Sequence, residues 1–126
     1  MIIRVTTFLL LTASLVACAT TGGIQKGSGS TFEVLDRSYD DVWRAAVTVC
    51  TRTIVIEVSD KGTGTIKGHV RAGMTTWGEV VGVFITQHGG NRHTVEVVSN
   101  KRSKMQITGQ NWEPSIIAGI KAELDM

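Results

Sequence analysis

Hydrophobic and polar positions change period several times along this chain, and each change marks an element. From Thr31 to Asp36, Phe32 and Val34 alternate with Thr31 and Glu33, a period of two that predicts a short strand. Ser38 follows as a helix N-cap, with Asp41 three residues on in capping-box position and Asp40 favouring the positive helix end. From Tyr39 to about Arg52, Val42, Trp43, Ala46, Val49 and Cys50 recur on one face, while Asp40, Arg44, Thr48 and Arg52 fall elsewhere. This predicts an amphipathic helix that buries one side. The period then returns to two. Ile54, Ile56 and Val58 alternate with Val55 and Glu57 before a turn at Ser59-Asp60-Lys61-Gly62, and Thr65 to Val70 repeats the pattern with Ile66 and Val70 on one face.

After a further turn in Arg71 to Thr76, Trp77 to Gln87 reads as the longest strand. Its apolar residues lie on both faces, as in a strand buried on two sides or covered by a partner. Gly78 and Gly82 share a face, the mark of a bulge, a bend or the close approach of another element. Gly89-Gly90-Asn91-Arg92 predicts a hairpin, His93 to Ser99 a returning strand with Val95 and Val97 inward, and Met105 and Ile107 one more short strand. Asn111 caps a last helix, with Pro114 in its first turn and Ile116, Ile117, Ile120 and Leu124 in a stripe. The expected fold class is α+β: a two-layer domain with an antiparallel sheet of about four to six strands and two helices on one face, in the order β-α-β-β-β-β-(β)-α.

The first residues follow a different logic. Arg4 supplies a positive charge, Phe8 to Val16 is a short apolar run, and Leu15-Val16-Ala17 precedes Cys18. Roughly nine apolar residues are too few to cross a hydrocarbon core, which needs about twenty, so the pattern is that of a secretory signal. The Leu-Val-Ala-Cys ending resembles the lipobox of bacterial lipoproteins, which implies cleavage before Cys18 and attachment of lipid to its thiol. Ala17-Cys18-Ala19 also satisfies the rule of ordinary signal peptidase, which would cut before Thr20. The expected organisation is a signal peptide at 1–17, a lipidated cysteine with a flexible linker at 18–30, and a periplasmic domain at 31–126. Four glycines with Ser, Thr and Lys between Ala19 and Ser30 suggest a coil reaching on the order of 20 Å, with Ile24 its one large apolar residue.

Composition narrows the function classes. Of 126 residues, about 109 remain after the signal, which is one domain's worth. The whole chain carries a formal charge of +2, and loss of Arg4 leaves roughly +1, so no polyanionic partner is demanded and nucleic acid is a poor candidate. With Cys18 acylated, Cys50 stands alone and is expected to pack as a small hydrophobe near a helix end.

The order of elements is similar to a group of small bacterial lipoproteins that share a fold with domains of the outer-membrane assembly lipoprotein BamC. The likeness is carried by Leu15 to Cys18, by Tyr39-Asp40-Asp41-Val42-Trp43 at the helix start, and by Lys61-Gly62-Thr63-Gly64-Thr65-Ile66-Lys67-Gly68. It covers most of Thr31 to Asp125. It implies a helix-on-sheet domain used for contacts and scaffolding, and it brings no catalytic residue with it. Ala19 stands where lipoproteins kept at the inner membrane typically carry Asp, so the resemblance points to the outer membrane, with the domain facing the periplasm.

Candidate sites are few. Trp77 and Trp112 begin elements, where a half-exposed indole can anchor a contact, and Trp43 is expected in the core. Lys101, Arg102 and Lys104 form the densest basic run and are candidates for carboxylates, lipid phosphates or an acidic partner. His69, His88 and His93 supply imidazoles but no metal-ligand spacing, so neither metal nor cofactor is expected. Gly27-Ser28-Gly29 is an incomplete nucleophile elbow placed in the linker, and no catalytic constellation accompanies it. The expected function is a lipid-anchored envelope protein that binds or scaffolds a partner protein. A small-ligand or lipid-binding module is the second reading and an envelope hydrolase the third.

Overall fold

A computed structural model describes residues 23–71, 79–100 and 111–126. The fold is the expected α+β arrangement: β1 (Ser30–Val34), α1 (Tyr39–Thr53), β2 (Val55–Asp60), β3 (Thr65–His69), β4 (Val80–Gln87), β5 (His93–Asn100) and α2 (Trp112–Glu123). The five strands form one antiparallel sheet in the order β1-β5-β4-β3-β2, so β4 is central and β1 and β2 are its edges.

Both helices start where their caps dictate. The Ser38 hydroxyl accepts from the Asp41 amide at 3.1 Å, and the Asn111 side chain accepts from the Glu113 amide at 3.1 Å, each satisfying a donor that the first helical turn leaves free. The main core lies between helices and sheet. Val42, Ala46, Val49 and Cys50 of α1 and Ile116 and Ile120 of α2 meet Ile66, Val81, Val83, Ile85, Val95 and Val97. Glu113 ties the start of α2 to two strands, accepting from the Ser30 hydroxyl at 2.9 Å and the Ser99 amide at 3.1 Å.

The expected strand at Ile54–Val58 is displaced. Ile54 caps α1 through its amide, and β2 continues to Asp60, so the turn falls later, over Lys61–Gly64. A register irregularity between Ile56 and Val58 breaks the strict alternation read from sequence. Val58 therefore pairs opposite Lys67 and is 40% exposed rather than sharing the core face with Ile56. Trp77 and Gly78, at the expected start of the long strand, lie outside the described residues, as do Met105 and Ile107.

The larger correction concerns the glycine-rich linker. Its described part, from Gly23, is seated on the sheet face opposite the helices. Ile24 is 1% exposed and packs with Val80, Phe84 and Val98, the second apolar cluster of the domain. Gly82 makes the room: a Cβ there would stand 2.4 Å from the Ile24 Cγ2. The Gly27 amide donates to both Glu96 carboxylate oxygens at 2.8 and 2.9 Å, and the Gly29 amide to Oε2 at 3.2 Å. These bonds use the carboxylate's acceptors and account for Glu96 being buried on a strand. Lys26 reaches Thr86, Nζ to Oγ1, at 3.0 Å. Composition favoured coil, but one branched side chain and one carboxylate outweigh it. Of the two alternatives for the long strand, burial on both sides holds for β4, whose second face packs against the chain's own residues 23–29, called the strap below.

Candidate functional site

The flank of α1 that faces away from α2 carries a groove. Capping by Ser38 sets the helix phase, so Tyr39, Trp43 and Val47 follow at four-residue spacing along one line. All three are half-buried and pack against the main core from its side. Trp43, expected inside, thus contributes to the core and also borders solvent. The Tyr39 and Trp43 rings stack with centroids 6.5 Å apart and planes 25° apart, and His93 lies tilted against Tyr39 at 6.0 Å.

The turn after β2 closes the groove. Lys61 is brought over the first turn of α1, where its Nζ stands 2.7 Å from the Asp40 Oδ1 and its carbonyl accepts from the Tyr39 hydroxyl at 2.5 Å. The Lys61 ammonium holds the Asp40 carboxyl below its ordinary range, first by hydrogen bonding and then by charge. Burial pushes the Tyr39 phenol up, so near neutral pH it remains a hydrogen-bond donor. The resulting open groove of about 280 Å³ is lined by Asp40, Trp43, Arg44, Val47, Thr48 and Lys61. An indole edge and a valine make its apolar floor, and one carboxylate with two cations makes its rim. Apolar floor beside charged rim is a combination common at protein contacts in general.

The histidines do not converge. His69 Nδ1 meets Glu57 Oε1 at 2.5 Å on the strap side of the sheet, and His88 Nε2 meets Thr94 Oγ1 at 2.6 Å beside the hairpin. His93 is buried on the helix side, where its Nε2 donates to the Arg37 carbonyl at 2.8 Å. Among the described residues no group of three His, Cys, Asp or Glu side chains is placed to hold a metal. Cys50 is buried and its thiol is pushed up to about 12 by desolvation, which makes it a packing residue rather than a nucleophile. Trp112 is half-buried at the start of α2, and its indole nitrogen is buried without a hydrogen-bond partner among the described residues. Cys18, Trp77, Lys101, Arg102 and Lys104 all lie outside the described residues.

The groove was not read from sequence, although Tyr39, Trp43 and Val47 display its apolar line. Asp40 and Lys61 are far apart in the chain, and no local pattern joins them. No protein-family profile matches the chain, and no curated protein matches it.

Proposed function

We propose that this protein is a lipid-anchored component of a bacterial cell envelope, held by Cys18 at the outer membrane, that works without catalysis by binding a partner protein. The groove along α1 carries this reading, because it joins apolar floor and charged rim at one exposed place. The lipobox ending at Cys18 and the resemblance to envelope lipoproteins support the location. No helix among the described residues is long and apolar enough to cross a membrane.

Two measurements test the reading. Palmitate labelling of the cells is expected to mark the mature protein, and an unlabelled product starting at Thr20 overturns the anchor. A photo-crosslinking residue at Arg44, on the groove rim, is expected to trap a discrete envelope protein in intact cells. The same residue at Ala118, exposed on α2, serves as the control site. Adducts only with lipid or glycan at Arg44 favour the small-ligand reading instead, and equal adducts at both positions remove the groove as the site.

A further inference from the structure

The charges around the α1 groove are unequally used. Lys61 Nζ stands 2.7 Å from Asp40 Oδ1, Arg37 donates to the Leu124 carbonyl at 2.6 Å, and Arg52 bonds Glu123 at 2.9 Å. Arg44 differs from these three. Its guanidinium lies 3.7 Å from Asp41 Oδ1, beyond hydrogen-bond distance, and its side chain is 76% exposed. It borders the groove on one side and, with Thr48, a polar hollow of about 220 Å³ on the other. A guanidinium offers five N–H donors in a planar fork that fits a carboxylate, and among the described residues Arg44 uses none of them.

The apolar floor beside Arg44 is ready-made. The turn that walls it is held by the Tyr39 hydroxyl on the Lys61 carbonyl, by the Gly62 amide on Asp60 Oδ1 at 3.0 Å, and by the Ile85 amide on the Gly64 carbonyl at 2.8 Å. A wall so fixed needs little ordering when something binds. The groove's 280 Å³ falls below the roughly 300–1,000 Å³ of cavities that enclose a small molecule, and it is open, so it suits one side chain.

We infer that the groove takes a segment of a partner protein in which a large apolar side chain lies next to a carboxylate, the apolar group on Trp43 and Val47 and the carboxylate on Arg44. This rests on the proposed function and names the partner chemistry of that same site. Arg44 follows Trp43 directly on the helix, so neighbouring residues of one segment reach both contacts. A cationic segment meets Arg44 and Lys61 together on the rim and is disfavoured. A phospholipid brings a single charge beside two long chains, which a floor of two side chains does not cover.

The test uses the full mature protein, isotope-labelled for magnetic resonance, in uncharged maltoside micelles. It is titrated with the acetylated and amidated peptide Gly-Leu-Glu-Gly and with the peptides carrying Gln or Lys in place of Glu. The Glu peptide is expected to move the Trp43 indole N–H and Arg44 Nε–H signals at millimolar concentration, while the Ala118 amide, exposed on α2, stays still. The Gln peptide is expected to bind about threefold more weakly, as befits an exposed ion pair, and the Lys peptide more weakly again. Arg44→Glu, an exposed change that leaves the floor intact, is expected to reverse the order so that the Lys peptide binds best. Equal affinities for the three peptides, an order that Arg44→Glu leaves unchanged, or a Trp43 signal that none of them moves overturns the inference. So does dihexanoyl phosphatidylglycerol moving the two signals more than the Glu peptide does, which assigns the groove to lipid. The photo-crosslink at Arg44 reads the proposed function separately, because it needs the floor and not the charge. A discrete protein adduct beside indifferent peptides removes the inference and keeps the groove as the site, whereas the absence of any protein adduct removes the reading on which the inference rests.

Discussion

Gly82 and Ile24 act as one feature. A methyl group on Gly82 would meet the Ile24 Cγ2 at 2.4 Å and the Phe84 ring at 3.0 Å, so Gly82→Ala forces the strap off its seat or Phe84 out of place. Overpacking of this kind costs about 1–3 kcal/mol, and Ile24→Ala about 2 kcal/mol for its lost burial. In the Ile24→Ala background, Gly82→Ala is expected to cost less, because the clashing methyl is gone; urea unfolding of the double-mutant cycle reads the difference. Strictly additive costs would show that the two residues do not share a site. Cys50 gives a test of a different kind. With its thiol pushed up to about 12, it stays protonated at pH 8. A maleimide is expected to leave it unmodified in native protein and to react within minutes after denaturation, as followed by mass.

Among the elements, α2 packs on α1 and on strands β5 and β1. Its stripe reaches the core through Ile116, Ile120 and, just past its end, Leu124, and it approaches α1 closely at Gly119, where a Cβ would stand 2.9 Å from the Val49 Cγ1. At the other end, Arg52 of α1 bonds Glu123 at 2.9 Å and Arg37 donates to the Leu124 carbonyl at 2.6 Å. Glu113 is the polar link at the helix start, bridging Ser30 of β1 and Ser99 of β5. Glu113→Ala removes two hydrogen bonds to a carboxylate, one from a partly buried amide. It is expected to cost about 2 kcal/mol in chemical denaturation, with native circular dichroism retained. A change below a few tenths would mean that water replaces the carboxylate freely.

At the scale of the whole molecule, the sheet is covered on both faces by unequal means. Two helices cover one side, and a strap held by one apolar side chain and one carboxylate covers part of the other. Such a segment is expected to open without unfolding the rest. Glu96→Gln keeps one acceptor oxygen but loses the charge that the Gly27 and Gly29 amides point toward. Hydrogen exchange of residues 25–29 is therefore expected to quicken about tenfold, while β4 and β5 amides keep their rates. Quickening throughout the sheet would make the strap part of the cooperative core.

Local chemistry was enough to specify most of the architecture. Ser38, Asn111 and the apolar spacing of α1 set helix starts and faces, while alternation at Ile66, Val95 and Val97 set which side of each strand turns inward. Those choices depend on neighbours a few residues apart. The bulge beside Glu57, the seat of Ile24 over Gly82, the carboxylate of Glu96 on two distant amides and the closure of the α1 groove by Lys61 depend on residues far apart in the chain. Sequence by itself determined the order of elements, the buried faces and the candidate anchor at Cys18. Only the tertiary structure decided that a glycine-rich segment would hold to the sheet. The reason is physical: composition measures how freely a segment moves alone, whereas one well-filled pocket and one paired carboxylate exist only once the sheet is built.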